Sequence, residues 1–288
     1  MSRIDIHQHF WPEPFVRALS LRKRAPRLQG SKLEIQGDTV WDVDLDAHRV
    51  EHRLALLDRF ELETAVVSLQ PTLGLDRLPA DESAELVATW EDGILALAGE
   101  PRFVPLATSW PRAGFAGLSV SALELLDLPA VAPRIDALVA HGGFLFVHPA
   151  TATVPPGKPD WWPAVVDYAG QMQAAYAAWL LAGVETWPEL DVVFAILAGG
   201  APFQMERLSS RGVEERVAIR PRIWLDSASY GSRALDFTMS ALGIDRMLFG
   251  SDAPIVDPEP TLRTVESFGQ AVSTAMFTTN PLRLLGRP

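Results

Sequence analysis

The stretch Ile4-Asp5-Ile6-His7-Gln8-His9 alternates apolar and polar residues with the period of a β-strand. Side chains two apart on a strand share a side, so Asp5, His7 and His9 face one way while Ile4 and Ile6 face the other. Neutral imidazole is a common metal ligand, and two imidazoles side by side at a strand end can take one divalent ion. A bare His-x-His pair is weak evidence by itself, and the rest of the chain has to supply the context.

Working outward, seven further short runs rich in Val, Ile, Leu and Phe read as strands, at residues 64–69, 103–109, 115–120, 143–148, 191–197, 222–226 and 246–252. Helical stretches fall between them at 46–59, 80–98, 133–140, 160–181, 202–211 and 232–242. Eight strands in this βα rhythm predict an α/β protein with a parallel sheet closed into a (β/α)8, or TIM, barrel. An open doubly wound sheet is the alternative, but no glycine-rich phosphate loop follows the first strand. The 288 residues suit a single barrel domain, 1–288, with loop insertions at about 10–45 and 149–163. Both insertions follow histidine-bearing strands, and in barrels such loops build the active-site face. The second carries Pro149, Pro155, Pro156, Pro159 and Pro163 and should be stiff.

Composition narrows the function. A net charge of −11 disfavours nucleic acid and anionic membranes, which repel an acidic protein, and favours a small-molecule substrate. The chain has no cysteine, so any metal must sit on histidine and carboxylate. Neither a signal-peptide core nor a run of about 18 apolar residues is present, and a cytoplasmic protein without a membrane partner is expected. A homo-oligomer is compatible with this composition.

Two more strand ends carry ligand-type residues. Phe144-Leu145-Phe146-Val147-His148-Pro149 puts a histidine at the end of the fifth strand, and Met247-Leu248-Phe249-Gly250-Ser251-Asp252 puts a carboxylate at the end of the eighth. In a barrel, His7, His9, His148 and Asp252 then converge at one mouth. Singly, His148 reads as a hydrogen-bonded core histidine and Asp252 as a helix cap before Pro254; jointly these readings lose weight.

The phrases Ile4-Asp5-Ile6-His7-Gln8-His9-Phe10-Trp11, Phe146-Val147-His148-Pro149 and Leu248-Phe249-Gly250-Ser251-Asp252-Ala253-Pro254 resemble the amidohydrolase 2 group, related to aminocarboxymuconate semialdehyde decarboxylase. The resemblance spans nearly the whole chain. It implies a distorted (β/α)8 barrel, zinc or manganese, and either hydrolysis or non-oxidative decarboxylation, with His7, His9, His148 and Asp252 as metal ligands. One departure stands out. That group usually has a histidine before a glycine pair at the end of the sixth strand, where it positions the metal-bound water. Here the sequence is Phe194-Ala195-Ile196-Leu197-Ala198-Gly199-Gly200-Ala201-Pro202. Asp252 is then the natural substitute base, because a carboxylate beside a metal-bound water can accept its proton.

Asp226-Ser227-Ala228-Ser229-Tyr230 follows the seventh strand, and Asp226 and Tyr230 could hold substrate or simply form a capping turn. Trp11 and Trp110, with Trp161, Trp162 and Trp187, could wall an apolar pocket, although packing explains them nearly as well. His48-Arg49-Val50-Glu51-His52 matches the spacing of inverted zinc proteases, but it falls on a helix outside the barrel. His141 before Gly142-Gly143 reads as a helix end, and Leu21-Arg22-Lys23-Arg24 as a solvated basic run, where an arginine could meet a substrate carboxylate.

These readings lead to a metal-dependent hydrolase of a small amide, ester or lactone, with one divalent ion, zinc before manganese. A metal-dependent non-oxidative decarboxylase of a cyclic or aromatic carboxylate is the alternative, and a barrel that only binds its ligand is the third.

Overall fold

β1 (Ile4–His9) is buried along its whole length, and so are the strands beside it. A strand covered on both faces cannot afford polar alternation, which is why β5 (Thr64–Ser68) and the run Phe144–Val147 read as nearly continuous apolar segments. The computed structural model describes residues 2–35, 40–97, 99–212 and 222–286. β1, β5 and β6 (Phe103–Pro105) form one parallel sheet. β7 (Gly117–Ser121), β8 (Phe144–His148), β9 (Asp191–Phe194), β10 (Ile223–Asp226) and β11 (Met247–Leu248) form a second parallel sheet in that order.

Two seams join these sheets into a ring of eight strands. At one, Gln8 pairs with Ala253, Ile6 donates its N–H to the Phe249 carbonyl at 3.0 Å, and His9 donates to Ala253 at 2.7 Å. At the other, Ala107 pairs with Leu118 and donates to the Gly117 carbonyl at 2.9 Å. The barrel is therefore closed and distorted: its strands are as short as two residues, and β6 runs into β7 without an intervening helix. The open-sheet alternative is excluded by both seams.

Helices Val50–Arg59, Ala80–Leu95, Leu128–His141, Tyr168–Ala178 and Ser232–Leu242 occupy the connections where helical periodicity places them. Three local differences from the sequence reading have plain causes. The helix expected from 133 starts five residues earlier, because Asp127 caps it and Pro133 is tolerated inside. The stretch 160–181 carries π turns, Pro163–Asp167 and Trp179–Gly183, at either end of its α-helix. The insertion read as loop from 10 to 45 holds a helix, Glu13–Leu21, and the antiparallel strands β2 (Arg27–Gln29), β3 (Lys32–Glu34) and β4 (Val40–Asp42). Three-residue strands fall below the length at which alternation can be recognised. Ala98, the last residue of one expected helix, lies outside the described residues, as do positions 36–39 of this insertion. No helix among the described residues is long and apolar enough to cross a membrane.

Candidate metal centre

β1 delivers His7 and His9, β8 ends on His148, and the turn after β11 brings Asp252 to the same point. One ligand-type atom from each of the four lies within 4.8 Å of the other three. The turn is shaped for this. Asp252 sits in the left-handed region at φ 63° and donates its N–H to the His7 carbonyl at 2.8 Å. Gly250 lets that segment press on the site, since a Cβ there would stand 2.8 Å from the His7 Cβ and 3.0 Å from Asp226.

The hydrogen bonds decide what the three rings can do. His7 Nδ1 lies 2.8 Å from Asp226 Oδ2, His9 Nδ1 3.1 Å from the Ser68 carbonyl, and His148 Nδ1 3.0 Å from the Pro149 carbonyl. Those partners only accept, so each Nδ1 carries the proton and each neutral ring turns an Nε2 lone pair inward. Neighbouring Nε2 atoms are 3.2 Å apart, and Asp252 Oδ1 lies 3.0 Å from His9 Nε2 and 3.5 Å from His7 Nε2. Lone pairs and a carboxylate crowded this closely repel one another unless a cation or a proton sits among them. The separations also suit ligands on one ion with bonds of about 2.1 Å. The donor set thus fits a single divalent ion.

Charge within the cluster follows the same logic. Burial pulls the His7 imidazole down, but the Asp226 carboxylate outweighs it and raises the pKa to about 9. Burial lowers His9 and His148. Burial would raise Asp252, yet the surrounding imidazoles hold it below the ordinary carboxylate value. A proton on His7 competes for the position that a cation would fill.

A family model described as amidohydrolase matches residues 4–287, nearly the full chain. The chain belongs to the amidohydrolase family. This amidohydrolase is 23% identical over 295 residues to a 2-amino-3-carboxymuconate-6-semialdehyde decarboxylase of Dictyostelium discoideum, covering 89% of this chain and 82% of that one. Among solved structures it is similar to the IDCase of Metarhizium anisopliae in its apo form, with a TM-score of 0.82, 20% identity, and 99% and 97% of the two chains covered. It is also similar to a dihydroxybenzoic acid decarboxylase of a Polaromonas species, solved with manganese and the inhibitor 2-nitroresorcinol, with a TM-score of 0.74, 16% identity, and 99% and 97% covered.

The remaining residues singled out in the sequence divide between those near the ligands and those elsewhere. Asp226 is fully buried and both its oxygens are committed: Oδ2 to His7, and Oδ1 to the N–H groups of Ile196 and Ala228, each at 2.9 Å. In this amidohydrolase it orients the His7 ring, with both oxygens already engaged. Trp11 is likewise buried. Its ring stacks on His48 at 4.5 Å, and its indole N–H donates to Gln70. Tyr230 is partly buried, and Trp110 is exposed.

The protease spacing dissolves, because His48 is buried with Nδ1 accepting the Trp11 N–H at 3.1 Å while His52 points to solvent. His141 closes its helix and lies 3.3 Å from the Phe115 carbonyl. The sixth barrel strand ends in a left-handed turn, Ile196 to Gly200 all at positive φ, with no titratable side chain. Sequence reasoning missed the support beneath β1. The buried Asp5 accepts from the backbone N–H groups of His7 and Ser251 at 3.1 Å and from Gln8 at 2.7 Å, and buried Arg53 donates to Gln8. The register shift between Asp5 and Gln8 breaks the simple alternation there. A lone arginine on a predicted outer helix gave no signal of that contact.

Proposed function

We propose that this amidohydrolase, as a single barrel domain over residues 1–288, is a non-oxidative decarboxylase of a small aromatic carboxylate. One divalent ion would be held by His7, His9, His148 and Asp252. The observation that carries the reading is a ligand cluster with no titratable group on the Ile196–Gly200 turn to activate water. The decarboxylases among its relatives support it over the hydrolysis expected from the sequence. Manganese is the first ion to load, on the precedent of the Polaromonas neighbour, and zinc the second, on the nitrogen and oxygen donors.

When bound, the ion would supply Lewis-acid attraction for the substrate's oxygens. The chain's own residues do the rest. Asp226 fixes the tautomer of His7, and Ser68 and Pro149 fix those of His9 and His148. Asp252, partly exposed while its Oδ1 faces the rings, rests as a carboxylate; it would take a proton from solvent as substrate enters and hand it to the ring carbon. The carbon–carbon bond breaks, its electron pair stays on the ring carbon, that carbon takes the proton, and carbon dioxide leaves. Asp252 returns to its resting carboxylate.

Protein loaded with manganese or zinc and offered a panel of hydroxybenzoates should release carbon dioxide. In labelled water, no label should enter the organic product by hydrolysis. Labelled oxygen in that product from an amide, ester or lactone would establish the hydrolase instead, and tight binding without turnover would leave a binding protein.

A further inference from the structure

A hollow of about 720 Å³ opens beside the first insertion, and five cationic side chains line it: Arg22, Lys23, Arg24, Arg27 and Arg77. Two carboxylates share the lining and are already engaged, Glu82 with Arg22 at 2.9 Å and Glu34 with Arg27 at 2.7 Å. Among the described residues, Lys23 and Arg24 enter no ion pair, and both are exposed. This local excess of positive charge lies on a chain whose net charge is −11. Such a field would otherwise repel an anionic substrate.

The hollow lies on the catalytic end of the barrel. The Arg22 to Arg27 segment follows β1, and Arg77 follows β5, so both sit on loops leaving strands at the end that carries His7 and His9. Arg77 donates to the Thr151 carbonyl at 2.9 Å, and Thr151 also donates its hydroxyl to Thr72. Thr151 stands three residues beyond His148, a span of about 10 Å at most along the chain. Ile35, Val40 and Leu78 give the same hollow an apolar wall. Cations beside an apolar wall suit an aryl carboxylate, whose ring and charge need different surfaces, better than a bare inorganic anion.

We propose that this basic hollow is a vestibule that captures the carboxylate of an aromatic acid before it enters the metal centre. The inference rests on the decarboxylase reading for its ligand class, but its test does not require turnover. Association of 2,6-dihydroxybenzoate with the metal-loaded protein is followed by stopped-flow tryptophan fluorescence from low to high salt, beside uncharged resorcinol. For wild type the association rate should fall steeply with salt. The double change Lys23→Glu with Arg24→Glu, at two exposed positions, should lower it at least about tenfold at low salt and flatten the salt dependence. Dissociation, and association of resorcinol, should not change. Equal association rates in wild type and variant would overturn the vestibule even if carbon dioxide is released. A charge-dependent rate without any turnover would uphold it and sink the decarboxylase reading. Failure of the anion to bind wild type at all would also overturn it.

Discussion

Under the proposed function Asp252 would combine two duties that usually belong to different side chains: its Oδ1 faces the imidazoles, and it is the carboxylate of the four-residue cluster that would carry a proton. Asp252→Asn should therefore reduce turnover at least about a hundredfold, the lower range for general acid–base catalysis. Elemental analysis beside the rate measurement would separate a lost proton carrier from a lost ion. Asp226→Asn acts differently, because an amide can present either a donor or an acceptor to His7 Nδ1 and no longer enforces its tautomer. Metal affinity should fall about 10- to 100-fold, read by competition with a chelator.

His48 supplies a pH test. Burial and the nearby Arg53 lower its pKa from 6.5 to about 3, so folding favours the neutral ring. That contribution is complete above about pH 6.5 and is lost as the pH falls toward 3, where the unfolded chain binds a proton that the folded one refuses. His48→Gln should remove up to about 1.4 kcal/mol per pH unit from the acid-side decline in urea stability. An unchanged slope would show that His48 is not held neutral.

At this scale the four ligand-type residues were legible because each lies at or near the carboxyl end of a strand, where barrel geometry assigns a direction. The partners of their Nδ1 atoms were not. Two are backbone carbonyls, which carry no residue signature, and Asp226 looks from sequence like any capping aspartate.

Among the elements, the left-handed turn after β9 is the least expected. Ile196, Leu197 and Ala198 hold φ near 50°, a conformation that costs roughly 1–2 kcal/mol for each non-glycine residue. Asp226 holds the Ile196 N–H, and Gln173 donates to the Gly199 carbonyl at 2.7 Å, so packing imposes what propensity opposes. The two glycines differ sharply in surroundings. A Cβ on Gly199 would stand 2.2 Å from the Ala169 carbonyl oxygen, whereas one on Gly200 meets nothing closer than 4.0 Å. Gly199→Ala should destabilise the protein by several kcal/mol, and Gly200→Ala by about 1 kcal/mol, its conformational strain alone. Similar losses in thermal melts would mean that the backbone, not the clash, governs both sites. The glycine pair and Pro202 announced a turn, but nothing in Ile-Leu-Ala indicates handedness. The long helices and the deep strands were readable from their periodicity and apolar runs, while the three-residue strands of the first insertion were too short to show a period.

On the scale of the molecule, the closed ring makes folding and metal capture one equilibrium. An ion that binds only the folded barrel stabilises it by about 2.7 kcal/mol at a hundred times its dissociation constant. Melting temperature should rise on loading with manganese or zinc and fall back with chelator, and a His7→Ala, His9→Ala protein should show no such response.

The seam between β1 and the turn after β11 has a consequence in time as well as in space. The four ligand-type residues lie at positions 7, 9, 148 and 252 of a 288-residue chain, so the first two leave the ribosome long before the last exists. A nascent chain can offer only a loose two-histidine or three-histidine site, and the full set exists once the last strand has closed on the first. Metallation therefore belongs after synthesis, and a chain arrested short of Asp252 should emerge as apoprotein however rich its surroundings are in the ion.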